Sequence, residues 1–232
     1  MELFEQTKQR PIKSFAIRNG RMTAAQREGL HNHLQQWGLP INKGIINTAQ
    51  VFNNNHPTVL EIGFGMGDSL ATMAIAEPEQ NFIGVEVHTP GIGRLLSLVD
   101  SHGLNNIRVF DGDAVEILKE NIAPHSLSRI NIYFPDPWHK TKHHKRRLVQ
   151  PEFLHLLHSR LLVGGILHIA TDWEHYANHV LKHLAAQPQF TNIGDHNGCV
   201  NAKDFGRPET KFERRGKNLG HGVWDMAFKT TK

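Results

Sequence analysis

The chain has 232 residues and a mass of 26.3 kDa, which is room for one generous domain or two very small ones. With 39% hydrophobic and 21% charged residues it can bury a core, which excludes wholesale disorder. Its one cysteine, Cys199, excludes an internal disulfide and a cysteine-based zinc site. No stretch approaches the ~18–20 apolar residues of a membrane span, and no charged-then-apolar leader opens the sequence. We therefore expect a soluble cytoplasmic protein. The net charge of +4 is unevenly spread: +3 over residues 1–30, −6 over 31–139 and +7 over 140–232. An acidic middle between basic ends suits a cationic or hydroxyl-rich ligand held centrally, with a polyanion gripped around it.

Residues 1–22 carry Lys8, Arg10, Lys13, Arg18 and Arg21 without sustained apolar periodicity, and read as a basic arm. Thr23 is a candidate N-cap for a helix reaching about Trp37. From Pro57 onward, short apolar runs alternate with helical patterns. The runs fall at 58–62, 81–87, 106–110, 129–134 and 165–170. The helices fall at 68–77, 92–101, 114–120, 150–162 and 172–186, with Leu154, Leu157, Leu161 and Leu162 forming one core face of the fourth. Two final strands, 190–193 and 222–228, flank a long polar insertion at about 196–222. The alternation predicts an α/β fold, a mostly parallel seven-stranded sheet with helices on both faces. We expect a single domain over 23–232.

The first run ends in Glu61-Ile62-Gly63-Phe64-Gly65-Met66-Gly67-Asp68. A glycine-rich strand-to-helix turn lets backbone approach a ligand closely. A nicotinamide or flavin fingerprint places its third glycine one residue later, and no Gly-Lys-Ser/Thr follows as in a Walker loop. Carboxylate spacing is more telling. Glu61, Glu86, Asp113 and Asp136 recur at the ends of successive strands, one βα unit apart. Open α/β sheets bind ligands there. Glu86 is placed to accept from ribose hydroxyls and Asp113 from an exocyclic amine. Such a ring of acids repels phosphates and favours a nucleoside bearing a sulfonium and an ammonium. This arrangement resembles the class I S-adenosylmethionine-dependent methyltransferases, whose fold is Rossmann-like.

The fourth run enters Tyr133-Phe134-Pro135-Asp136-Pro137-Trp138, where two prolines are expected to hold the chain extended. His139-Lys140-Thr141-Lys142-His143-His144-Lys145-Arg146-Arg147 follows, with no acid between Pro137 and Pro151. That run reads as a phosphate-binding patch.

Together with Thr171-Asp172, the tail Arg207-Pro208-Glu209-Thr210-Lys211-Phe212-Glu213-Arg214-Arg215-Gly216 and Leu219-Gly220-His221, these segments resemble the bacterial tRNA (guanine-N7-)-methyltransferases. The resemblance also takes in 18–23 and covers roughly residues 12 to 229. It implies S-adenosylmethionine contacts at Glu61, Gly63, Gly65, Glu86, Asp113 and Asp136, with Asp136 also the catalytic acid. It implies substrate contacts at Lys140, Asp172, Thr210, Lys211, Phe212 and Glu213. RNA contact is implied along Lys142, His143, His144, Lys145, Arg146 and Arg147. The expected reaction is methyl transfer to N7 of guanine in tRNA, at position 46 of the variable loop. Two other readings stand beside it: a methyltransferase for another nucleic acid or a small molecule, and an RNA-binding protein without catalysis. His175 with His179 and His155 with His158 lack the partners of a metal site, so no metal is expected. Neither a membrane nor an obligate protein partner is expected.

Overall fold

Each of the five apolar runs becomes a parallel strand, and the reason is burial on both faces. In β1 (Thr58–Ile62) and β2 (Asn81–Glu86) every residue is buried. β3 (Ile107–Asp111), β4 (Leu127–Tyr133) and β5 (Leu161–Thr171) complete the parallel set. β6 (Phe190–Asn192) and β7 (Trp224–Thr230) follow, β7 running antiparallel to both β5 and β6. The strand order is β3-β2-β1-β4-β5-β7-β6. The structure, a computed structural model, describes residues 13–15, 21–210, 213–214 and 222–231. The arm expected over 1–22 and the insertion expected at about 196–222 thus lie partly outside the described residues.

Helices cover both faces. α1 (Ala24–Trp37), α3 (Asp68–Ala76) and α4 (Thr89–Ser101) pack Trp37, Leu70, Met73, Leu95 and Leu96 on one side. α2 (Thr48–Phe52), α5 (Ala114–Glu120), α6 (Pro151–Arg160) and α7 (Glu174–Ala185) pack Phe52, Leu118, Leu154, Leu157 and Val180 on the other. Thr23 caps α1 in a capping box: its Oγ1 accepts the Gln26 N–H at 3.2 Å, and Gln26 Oε1 accepts the Thr23 N–H at 2.8 Å. α1 lies against α4 almost backbone to backbone. A methyl at Gly29 would stand 2.2 Å from the Gly93 carbonyl oxygen, and one at Gly93 would stand 2.0 Å from that of Gln26.

Two elements differ from the sequence reading. The helix expected over 150–162 ends at Arg160, and Leu161 opens β5 opposite Leu127. Leu161 therefore packs as a strand residue, and Leu162 is 43% exposed rather than part of a helical core face. The Leu-Leu-Val-Gly-Gly sequence explains this, since β-branching and paired glycines weaken a helix. α2 was not anticipated. It is one short turn, capped by Asn47 Oδ1 on the Gln50 N–H at 3.2 Å and closed by Asn53 in the left-handed region.

Candidate active site

The chain leaves β1 toward β2 and reaches β4 on the opposite side, so the sheet changes direction of growth between β1 and β4. At the carboxyl ends of these strands opens a cavity of about 490 Å³. This is where open α/β sheets place ligands, and the size suits a small cofactor. Gly63, Gly65, Glu86, Asp113, Phe134 and Asp136 are in its wall.

The glycine turn is built as its composition requires. Gly63 and Gly65 have φ of +74° and +59°, and a Cβ on either would meet no atom within 4 Å. Their backbone thus faces open space. Glu86 holds this turn from β2. Its Oε2 accepts the Gly65 N–H at 2.8 Å, while Oε1 accepts those of Val87 and His88 at 2.7 and 2.9 Å. The sequence reading assigned Glu86 to ligand hydroxyls alone and missed this clamp. A carboxylate offers about four acceptor sites, so the three bonds leave capacity at the cavity wall.

Glu61 lies beneath the wall rather than on it. It is buried, and its Oε2 has no hydrogen-bond partner. Burial pushes its carboxyl up to about 8; the Arg129 guanidinium pulls the other way and the Glu86 charge adds to the rise. Asp113 caps α5 by accepting the Val115 N–H at 3.0 Å, and stands 3.7 Å from Lys13 Nζ.

The Phe-Pro-Asp-Pro-Trp segment departs from the extended geometry expected of it. Phe134 and Trp138 take φ of +51° and +45°, in the left-handed region. For aromatic residues, one of them before a proline, this stores about 1–3 kcal/mol each. Surrounding contacts hold both in place. The Phe134 N–H donates to the Ala170 carbonyl at 2.8 Å, and Trp138 Nε1 donates to the Ser14 carbonyl at 2.9 Å. Between them Asp136 is turned outward, exposed on the cavity rim. Arg146 lies 3.8 Å from the Trp138 ring centre and donates to the Lys13 carbonyl at 3.2 Å, so Ser14 and Phe15 form part of the cavity wall.

The basic run forms a 3₁₀ turn, Thr141–Arg146. Lys142 and Lys145 are exposed, and His143, His144 and Arg146 are half-buried. Arg147 corrects the expectation of a phosphate contact. It is 2% exposed, its Nε donates to the Pro137 carbonyl at 2.9 Å and its Nη2 to His175 Nδ1 at 3.1 Å. It props the loop from inside because α7 packs beneath it.

Lys140 is exposed after β4, and Asp172 is half-buried after β5. An edge contact of His139 on Trp173, with ring centres 4.3 Å apart, ties these two loops together. Thr210 Oγ1 accepts the Glu213 N–H at 3.1 Å, while Lys211 and Phe212 lie outside the described residues. Glu213 is buried against Arg207, its Oε2 accepting from Nη1 at 2.6 Å. Arg207, His168 and Asp225 were not singled out as site residues, since they lie far apart in the chain. Among the described residues, no three His, Cys, Asp or Glu side chains gather as metal ligands. No described helix is long and apolar enough to cross a membrane.

Comparisons with known proteins agree with this geometry. Similar folds include 16S rRNA methyltransferase KamB, with a TM-score of 0.58 at 11% identity over 82% of this chain and 96% of that one. Another is geranyl diphosphate C-methyltransferase from Streptomyces coelicolor, solved with S-adenosyl-L-homocysteine, at a TM-score of 0.50 and 13% identity over 89% of this chain and 76% of that one. These likenesses show the class I methyltransferase fold. Residues 55–226 match a family described as "Putative methyltransferase". A tRNA (guanine-N(7)-)-methyltransferase of Pseudomonas fluorescens is 52% identical over 98% of this chain and 94% of its own length. One of Alcanivorax borkumensis is 51% identical over 94% and 91%. Such identity over nearly the full length makes the chain a member of the tRNA (guanine-N(7)-)-methyltransferase family.

Proposed function

We propose that this protein transfers a methyl group from S-adenosylmethionine to N7 of guanine in tRNA, at position 46 of the variable loop, in the cytoplasm. One observation carries the reading: a cavity at the sheet's switch point, edged by three carboxylates, opens beside an exposed basic turn. The family's named activity supports the substrate.

The residues fit the donor. Glu61 Oε2 is an enclosed carboxyl oxygen without a partner, which a nearby ammonium would draw into the ionised form. The bare inner side of Gly63 and Gly65 leaves room for a ligand against the backbone. Glu86 has acceptor capacity for a ribose hydroxyl, and Asp113 sits where an adenine amine would be met. When bound, the donor supplies a sulfonium-activated methyl group.

Guanine N7 carries an in-plane lone pair and needs no deprotonation. The protein's task is thus alignment and exclusion of water. Asp136 accepts from the guanine N–H edge and stabilises the positive charge that spreads over the purine as the bond forms. Asp172, Thr210, Lys211, Phe212 and Glu213 contact the base, as the family's motif implies, with Lys140 at the rim. Lys142, Lys145 and Arg146, with His143 and His144, meet phosphates and set the RNA's register without reading sequence.

Incubating the protein with labelled donor and unmodified tRNA, then mapping the methylated nucleotide and atom, tests this. The expected product is 7-methylguanine at position 46. Methylation of another atom, or of a small molecule with tRNA ignored, would overturn the assignment.

A further inference from the structure

A buried polar cluster joins the sheet to Arg207 and Glu213. Arg207 grips Asp225 of β7 with two donors: Nε to Oδ1 and Nη2 to Oδ2, both at 2.6 Å. Its remaining nitrogen, Nη1, reaches Glu213. Asp225 Oδ1 also receives His168 Nε2 from β5 at 2.9 Å, and Tyr133 on β4 meets His168 Nδ1 at 3.0 Å. An ionised Asp225 only accepts, so His168 carries its proton on Nε2 and Nδ1 accepts from the Tyr133 hydroxyl. Burial lowers the His168 imidazole from its usual range and so favours this neutral form. One continuous chain of bonds thus runs from the tail to Tyr133 in the cavity wall.

Position argues for more than stability. The guanidinium sits 5.5 Å from the centre of the Phe134 ring and 5.8 Å from that of Tyr133, at the strand end that leads to Asp136. A buried ionic cluster is a poor way to gain stability, since apolar packing of equal volume serves as well or better.

We propose that Arg207 is a positioning residue: held to β7 and β5 through Asp225 and His168, it fixes Glu213 against the acceptor guanine. This rests on the methyl-transfer reading of the same site. A lysine keeps the charge at position 207 but cannot span Asp225 and Glu213 as a fork.

The test uses the full chain and combines single-turnover methylation of unmodified tRNA with donor calorimetry. Arg207→Lys is expected to slow methyl transfer roughly 10–100-fold, as small misplacements of an aligned base do. Donor affinity and stoichiometry should stay within about threefold of wild type, because the donor cavity is left whole. In a Glu213→Gln background, Arg207→Lys should cost little more, since both changes remove one interaction. Asp225→Asn, which keeps the shape, carries the same cycle if Arg207→Lys does not fold. Multiplicative losses in the cycle, or unchanged transfer rates, overturn the proposal. Failure of both variants to bind donor at wild-type stoichiometry overturns it too, making the cluster structural only. If wild-type protein does not methylate tRNA guanine, the functional reading fails first and takes this inference with it.

Discussion

Glu86→Ala probes the glycine turn and the end of β2, because one carboxylate holds three backbone N–H groups: that of Gly65 in the turn and those of Val87 and His88 just past Glu86. Hydrogen bonds to a charged group contribute about 1.5–3 kcal/mol each. Glu86 lies at the cavity edge with 8% exposure, so water will replace part of the loss. A net destabilisation of about 3 kcal/mol follows, or roughly 6–12 °C in Tm for a chain of this length. The freed turn must then be re-ordered when the donor binds. Fixing one or two residues costs about 1–2 kcal/mol each, so donor affinity should fall roughly 10–100-fold even before lost ribose contacts are counted. Thermal unfolding measures the first effect and calorimetry with S-adenosylmethionine the second, with tRNA affinity as the control that stays unchanged. Glu86→Gln should lie between, because its amide nitrogen would face a backbone N–H it cannot satisfy. A Glu86→Ala protein with wild-type Tm and donor affinity would refute the clamp.

Glu61 predicts a pH dependence of stability. Its folded-state carboxyl, raised to about 8 from 4.5, contributes stability that is complete below about 4.5 and lost as pH rises through 8, at most about 4–5 kcal/mol. Urea unfolding across this window should show the fall in wild type and flatten it in Glu61→Gln; parallel curves would refute the burial argument. If an ammonium of the donor meets Glu61, binding near neutral pH should release a proton, seen as a buffer-dependent calorimetric enthalpy. Asp136→Asn should lower kcat about 10–100-fold with tRNA affinity retained, and full kcat would remove Asp136 from the chemistry. Neutralising Lys142 and Lys145 should flatten the salt dependence of tRNA binding by ~0.7–0.9 log units per lost contact. Arg147→Ala should instead leave that slope unchanged and destabilise the fold by about 2–3 kcal/mol, read by thermal unfolding.

The sequence by itself determined the strand–helix alternation and the ring of acids. Both are local: a buried parallel strand needs an unbroken apolar run, and an acid at its last residues or in the turn just after it falls near the sheet's carboxyl edge whatever the partners. For the same reason the Thr23 cap and the glycine turn were legible from adjacent residues. Tertiary structure decided what those residues touch. Arg147 looks like its exposed neighbours in a basic run, and only the packing of α7 beneath the loop makes it a buried strut. Glu86 became a clamp because β2 ends beside the turn that follows β1. Leu161 joined β5 because Leu127 offers it a pairing where the following Val-Gly-Gly already weakens a helix. Arg207, Asp225, His168 and Tyr133 share one network because β7 inserts antiparallel beside β5 and brings Asp225 next to His168. Chain spacing holds no trace of that, because a sheet's hydrogen bonds set neighbours across strands without regard to distance along the sequence.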